Sequence, residues 1–534
     1  MLNDLLIKNG LIVDGTGNTA YKGCVGIIGE NIAYVGTDEQ PAKAAYDADG
    51  AAVCPGFIDI HTHADMGILL CPSAENYVRQ GVSSVVTGNC GMSLAPSNDF
   101  YVGELQAYIA SFVPDEIKKI WRWNTFAEFL DSVDAVSPAV NIIPLVGHGT
   151  IRIACEGFKK SPAAGERFAA METLLEACLD QGAWGMSTGL IYPPGSYSDA
   201  DELARFCEIL GRRGAVYTTH LRSEGTLLVE SVEEAIAFCE KYGVPLQLSH
   251  HKAASPKVWG LVNKTLEMMR AARNRGVDAR CDVYPYDRGC TTITALLPNH
   301  ALEGGIGALL NLLRNPSSSR ALADYIAAGG GENEEISIRD LNWSDITIIS
   351  CPAMPECETK TIDEIVPSGG KMERLACFLD WMLAVKATGM MVLRSMSMAD
   401  VDVVVTDHDS IIASDSWISD PSTPEMCHPR NFGTFPQFIR RYVCEHRALS
   451  IEDAVRKITS EPARRIGLSD RGIIARGKKA DILVFRPEEI DNLPTFDEPK
   501  KFAKGFHQLW INGKSVLEGD SLSGNRPGRV LRRV

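Results

Sequence analysis

The sequence predicts an α/β protein: a TIM-like (β/α)8 barrel flanked by a small β domain to which both chain termini contribute. Three observations carry this expectation. Short apolar runs alternate with helix-forming stretches through the middle of the chain, several of those runs stop abruptly in His, Cys or Asp, and turn-punctuated β alternation occurs at both ends. A chain of 534 residues also exceeds the roughly 250 to 300 at which one hydrophobic core stops growing, so a large domain with a smaller companion is expected.

The N-terminal stretches DLLIKNGLIVDG and GCVGIIGENIAYVG alternate in hydropathy and are broken by Asn-Gly and Gly-Glu-Asn, which suits short antiparallel strands. ADILVF and FHQLWINGKSVLEG, with its Asn512-Gly513 turn, repeat this character near the C-terminus. Between them lie eight candidate barrel strands: GFIDIH, SVVTGNC, VNIIPLVGH, AWGMSTG, AVYTTH, PLQLSH, ARCDVY and SIIASD. ITIISC and MMVLRS compete with SIIASD for the last place. The span between ARCDVY and SIIASD is too long for one βα unit, and its Gly-broken helix formers read as an insertion at about 298–350. The expected organisation is therefore 1–54 and 471–534 as the two parts of the small β domain, 55–425 as the barrel, and 426–470 as a barrel-associated helical segment.

Composition narrows the function classes. With 45% hydrophobic and 23% charged residues and no bilayer-length apolar run, no membrane association is expected. The N-terminus lacks the basic, apolar and small-residue regions of a signal peptide, which points to a cytoplasmic location. Fifteen Cys, scattered without a CxxC pair, are expected to be mostly reduced and buried. A net charge of −15 without a dense Lys/Arg tract argues against nucleic acid but not against a small anion held by a few local cations.

The chemistry concentrates at strand ends. His61 and His63 follow GFID, and their i, i+2 spacing on an extended strand places both imidazoles on one face, within reach of one metal ion. An HxH alone also occurs as two ordinary polar residues. Cys90, His220 and His250 end three further strands and add a thiolate and two imidazoles, a set suited to Zn²⁺ with a position open for water. His251 competes with His250, but alternation turns it away from the barrel axis. Asp415 ends SIIASD and is the candidate general base; its ordinary alternative is a helix N-cap, and Asp407 and Asp409 are rivals in poorer strand context.

GFIDIHTHAD, VVTGNCGMSLAP, GMSTGLIYPPGSYSD, YTTHLRSEG, LQLSHHKA, DVYPYDRG, IASDS, HPRNFGTFPQF and RPGRVLR resemble the motifs of the N-acyl-D-amino-acid deacylases, or D-aminoacylases, of the amidohydrolase superfamily. The resemblance covers almost the full length. It implies a metal-dependent hydrolase barrel that hydrolyses N-acyl-D-amino acids, with tight zinc on Cys90, His220 and His250 and a second, weaker metal position at His61 and His63. Cys90 would stand in for the carbamylated lysine of many other amidohydrolases. The resemblance also assigns the substrate carboxylate to Lys252, Tyr284 and Arg430, with Tyr192 near the same pocket. Taken alone, Lys252 and Arg430 read as solvated loop cations. L-Xaa-D-Xaa dipeptides present the same amide and free carboxylate, and the resemblance leaves a homo-oligomer open.

Two departures from the family pattern stand out. Asp415-Ser416-Trp417 and a longer path replace the usual SDG and short loop before HPR, and DRGCTTITALLP replaces the usual turn after YPY, where Arg288 is the lone cation. A cyclic-amide hydrolase (dihydroorotase- or hydantoinase-like) or a deaminase on the same barrel would share the histidines and the aspartate, though not Cys90 and HPR. A non-catalytic scaffold on this fold would not need an intact ligand set.

Overall fold

The computed structural model describes residues 2–534 except 161–162, 331–337, 340, 368 and 424–425. Eight parallel strands form the barrel: β1 (Phe57–Asp59), β2 (Val82–Thr87), β3 (Asn141–Pro144, continued by Val146–Gly147), β4 (Gly185–Gly189), β5 (Val216–His220), β6 (Leu246–Leu248), β7 (Ala279–Val283) and β8 (Ile411–Ile412). The circle closes just beyond β8, where Asp415 N donates to His61 O at 2.8 Å and His63 N donates to Ser416 O at 2.7 Å. Nearly every strand residue is buried, as expected of parallel strands covered by helices.

The covering helices follow from patterning and capping. The helix Ala200–Arg213 buries Leu203, Phe206, Cys207 and Leu210, spaced to share one face. Asp199 caps its N-terminus by accepting from Glu202 N, Arg212 and Arg213 sit at the negative end of the helix dipole, and Gly214, at φ 56°, ends it in the left-handed region.

Between β7 and β8 the chain leaves the barrel. Arg288–Thr292, Ile346–Ser350 and Met390–Arg394 pair into an antiparallel sheet, which packs with the helices Gly305–Arg314, Pro316–Ala327 and Lys371–Ala384 around a separate core that includes Leu309, Leu322, Phe378 and Met391. This excursion encloses the segment 298–350 marked in the sequence, of which 331–337 and 340 lie outside the described residues. ITIISC and MMVLRS both belong to its sheet, and Ile411–Ile412 is the strand that pairs with β7.

The two termini build one sheet. Ala52–Pro55 pairs antiparallel with Ile482–Phe485, joining Asn3–Ile12 and its neighbours to Phe506–Ile511 and Lys514–Glu518. Phe57 at the head of β1 packs against the rings of Phe435, Phe485 and Phe506, so this sheet is held to the barrel by an aromatic cluster. All fifteen cysteines are free. Among the described residues, no helix is long and apolar enough to cross a membrane.

Candidate active site

The C-terminal ends of the barrel strands bring six donors together. Ligand atoms of His61, His63, Cys90 and Asp415 lie within 4.8 Å of one another, and so do those of Cys90, His220 and His250. All six residues are buried. Cys90 belongs to both groups, with Sγ 3.3 Å from His61 Nε2 and 3.5 Å from His250 Nε2. A thiolate shared between two clusters of imidazoles fits two adjacent metal positions, and soft sulfur with nitrogen donors fits zinc.

The backbone is bent to present them. Cys90, His250 and Asp415 adopt φ of 52°, 35° and 50°, left-handed values that cost a non-glycine residue about 1–3 kcal/mol each and persist where the surroundings impose them. The Gly88-Asn89-Cys90-Gly91 turn shows how. Asn89 Nδ2 donates to Thr62 O and Val86 O, and Gly91 N donates to Ser187 Oγ on β4, which ties the turn to the segment after β1, to β2 itself and across to β4. Gly88 has φ 75°, and a Cβ there would lie 2.0 Å from Leu145 O. Gly88→Ala is therefore expected to displace Cys90, lowering both the melting temperature by several degrees and the zinc content after dialysis. Unchanged values in both measurements would contradict this reading of the turn.

Acidic groups orient the imidazoles from behind. Glu224 Oε1 lies 3.1 Å from His250 Nδ1, Asp282 Oδ1 lies 3.2 Å from His61 Nδ1, and Asp282 also accepts from His250 N and Gln247 Nε2. A carboxylate behind Nδ1 favours a ring that offers its Nε2 lone pair to a metal, and at His250 the Lys252 ammonium also lies 2.8 Å from Nδ1. Neither acid was singled out from the sequence, although Glu224 follows His220 by four residues in HLRSEG and Asp282 lies inside ARCDVY.

The surrounding imidazoles favour the thiolate form of Cys90. Burial alone would raise Cys90, but His61, His220 and His63 outweigh it and hold the thiol well below its usual range. Burial would likewise raise Asp415, yet Arg430 and the imidazoles of His63 and His61 hold its carboxyl well below the ordinary value. His250 is pushed down by burial and then by the Lys252 ammonium, keeping it a neutral donor.

The structure gathers the other sequence candidates at the same cleft. Lys252, Tyr284, Arg430 and Tyr192 all line it. Lys252 Nζ pairs with Glu224, Arg430 Nη1 lies 2.9 Å from Asp415 Oδ2 with its guanidinium 4.8 Å from the Tyr284 ring centroid, and Tyr192 shares a 2.8 Å hydrogen bond with Thr291. The rivals point elsewhere. His251 Nε2 bonds to Thr265 Oγ1, Asp407 pairs with Arg270, and Asp409 pairs with Arg273 and Arg280. No helix starts at Asp415. Phe112, stacked on His63, and Trp417 complete the walls; Trp417 lies in the segment that departs from the family pattern, whereas nothing in its sequence context marks Phe112.

Over 531 residues the chain is 33% identical to the N-acyl-D-aspartate deacylase of Alcaligenes xylosoxydans xylosoxydans, covering 99% of this chain and 95% of that protein. The chain belongs to the D-aminoacylase family of amidohydrolases. The D-aminoacylase of the same organism is 31% identical, over 99% of this chain and 98% of its own. The crystal structure of N-acyl-D-glutamate deacylase from Bordetella bronchiseptica, complexed with zinc and a phosphonate mimic of the tetrahedral intermediate, superposes with a TM-score of 0.81 at 29% identity, covering both chains fully. The Amidohydrolase family model matches residues 412–517.

Within the D-aminoacylase family this chain's departure at Ser416-Trp417 has a structural account. Ser416 Oγ bonds to Tyr77 OH and Ser414 Oγ, and Trp417 O accepts from Asn76, so the longer path begins from a pinned segment; residues 424–425 of it lie outside the described residues.

Proposed function

We propose that this protein is a zinc-dependent N-acyl-D-amino-acid deacylase, and that Cys90, His220 and His250 hold the tight metal while His61 and His63 serve a weaker second position. The single observation that carries the reading is the buried convergence of the four histidines on Cys90, with Asp415 grouped with His61 and His63 and with Arg430, Lys252 and Tyr284 lining the same cleft. The full-length likeness to deacylases of D-aspartate, D-glutamate and other N-acyl-D-amino acids supports it.

Zinc, when bound, supplies Lewis acidity that polarises the scissile carbonyl and acidifies the attacking water. The chain's own groups do the rest. Asp415, ionised at neutral pH, takes the proton from water as its oxygen adds to the carbonyl carbon. It returns that proton to the amide nitrogen as the C–N bond breaks, giving a carboxylic acid and a free amine. Arg430 offers a planar fork and Lys252 a point charge to the substrate carboxylate, while the Tyr284 hydroxyl, pushed up to about 12 by burial, stays neutral and donates. When Arg430 turns from Asp415 to that carboxylate, Asp415 loses its strongest stabilising partner and becomes a better base.

The side-chain end of the cleft, formed by Gly289, Cys290, Thr291, Leu393, Ser395 and Trp417, carries no charge of its own among the described residues. Arg288 lies 4.1 Å over the Phe496 ring instead of lining this wall. A neutral D-residue fits it better than D-Asp or D-Glu.

Three directions, the carbonyl at the metal, the carboxylate at Arg430 and the side chain in this wall, allow one enantiomer to be preferred, and the likeness to deacylases of N-acyl-D-amino acids supports D as that hand. Inverting Cα with two anchors held drives the side chain into a different surface. Arg430→Ala is expected to lower kcat/KM by about 1.5 to 3 kcal/mol and to narrow the D/L ratio. Rates on both enantiomers of N-acetyl-leucine, with wild type and variant, test the proposal. A variant that keeps both its rate and its ratio contradicts the anchor.

A further inference from the structure

His428, two residues before Arg430 and fully buried, has both ring nitrogens engaged. Arg430 N lies 3.0 Å from Nδ1 and can only donate, so Nδ1 carries the lone pair. Arg288 O lies 3.0 Å from Nε2 and can only accept, so Nε2 carries the proton. The two bonds together select one neutral tautomer and one ring orientation. The rings of Tyr286 and Phe496 pack nearly perpendicular to the imidazole, with centroids 5.2 and 5.0 Å away, and hold it between them. Burial and the neighbouring Arg430 also keep the ring well below its usual range, so it stays neutral beside the guanidinium. His428 is not among the residues that line the cleft, and neither the metal ligands nor the carboxylate anchors account for it.

The two bonds lead to different parts of the molecule. Arg430 opens the helix Arg430–Phe438, and its N–H belongs to the first turn, where no carbonyl of the same helix is in reach. His428 satisfies that N–H with a side-chain nitrogen and so fixes the point from which the Arg430 side chain leaves the backbone. Arg288 opens Arg288–Thr292, the edge strand of the inserted sheet, which pairs on its other side with Met390–Arg394. On the free edge, the carbonyls of Arg288 and Cys290, two residues apart, both face the HPR segment, Cys290 O lying 3.5 Å from Arg430 Nη2. Arg430 is thus seated on the inserted domain as well as against Asp415 and the Tyr284 ring.

We infer that His428 is a positioning residue for substrate binding: it joins the base of Arg430 to the edge strand of the inserted domain, so that the guanidinium moves only between Asp415 and the substrate carboxylate. The inference rests on the deacylase reading and deepens it. A long side chain that must be ordered anew for each substrate gives up binding free energy, whereas one already aimed does not. The His428 ring acts through Arg430 N, and its bond to Arg288 O keeps the lone pair of Nδ1 turned that way.

The two nitrogens can be replaced separately. In His428→Asn the amide oxygen can stand near the Nδ1 position and accept from Arg430 N, whereas in His428→Gln the amide nitrogen can reach Arg288 O but leaves the Arg430 N–H without its acceptor. Zinc-replete wild type, both variants, Arg430→Ala and the His428→Gln/Arg430→Ala double variant are compared on N-acetyl-D-leucine and on N-acetyl-D-leucinamide, which lacks the carboxylate. Zinc content and melting temperature are measured for each. His428→Gln is expected to raise KM for the acid about tenfold, the lower end of what a charge-assisted hydrogen bond contributes, while kcat and the turnover of the amide change little. His428→Asn should recover most of that loss, and His428→Gln should cost nothing further once Arg430 is Ala, because both changes act through one contact. Equal losses on acid and amide, equal losses in Asn and Gln, a fall confined to kcat, or additivity with Arg430→Ala each overturn the inference alone. Loss of zinc or of melting temperature in both single variants at His428 marks a residue of the fold and overturns it too. Absence of amine release from N-acetyl-D-leucine by wild type overturns the deacylase reading and the inference with it.

Discussion

Asp415→Asn is expected to fold, to keep its tight zinc and to lose about 10²- to 10⁴-fold in kcat, the usual contribution of a positioned general acid and base. The amide preserves size and can still accept a bond from Arg430, but it cannot carry a proton from water to the leaving nitrogen. Asp415 Oδ1 lies 3.5 Å from His61 Nε2 and 3.3 Å from His63 Nε2, beside the proposed metal ligands. KM should move less than kcat, because Lys252, Tyr284 and Arg430 all remain to hold the substrate carboxylate. Asp407→Asn is the control, since Asp407 pairs with Arg270 away from the cleft. Near-wild-type turnover in Asp415→Asn removes the assigned role, and a large loss in Asp407→Asn would transfer it.

Cys90→Ala is expected to have the larger effect, because one thiolate belongs to both ligand groups. Its loss leaves the tight position with two imidazoles and withdraws the negative charge that offsets the buried His61 and His63. Burial penalises any unpaired proton on these rings, so the variant should bind zinc weakly, lose measurable turnover and melt lower even when zinc is supplied. Elemental analysis after dialysis against a chelator gives the direct reading. Full zinc occupancy in Cys90→Ala contradicts the ligand set. His61→Ala and His63→Ala should keep the tight zinc and lose only the weaker site.

The sequence made the barrel legible because its strands end in residues that have little reason to be there except chemistry: His61, Cys90, His220, His250 and Asp415 each stop an apolar run. It left the last strand open, because ITIISC and MMVLRS are as apolar as IIASD and only pairing distinguishes an inserted antiparallel sheet from a barrel wall. Ala42–Asp47 was missed as a strand because its alanines and lysine have weak β preference, and its pairing with Asn3–Lys8 supplies what propensity does not. Glu224 and Asp282 were missed for a related reason: an acidic residue in a loop or strand reads as solvated until the fold places an imidazole against it. The carboxylate anchors came only through family resemblance. Arg430 is 1% exposed, and nothing local in HPRNFG announces that burial.

Zinc-dependent, stereoselective hydrolysis of an acylated D-amino acid is tested by the free amine released from the D and L forms of N-acetyl- and N-octanoyl-leucine, by zinc-replete protein and by protein stripped with a chelator. Amine is expected from the D forms only when zinc is present, with recovery on adding zinc back, and little or none from the L forms. Equal release from both enantiomers, or undiminished release after the zinc has been shown to be gone, would contradict it.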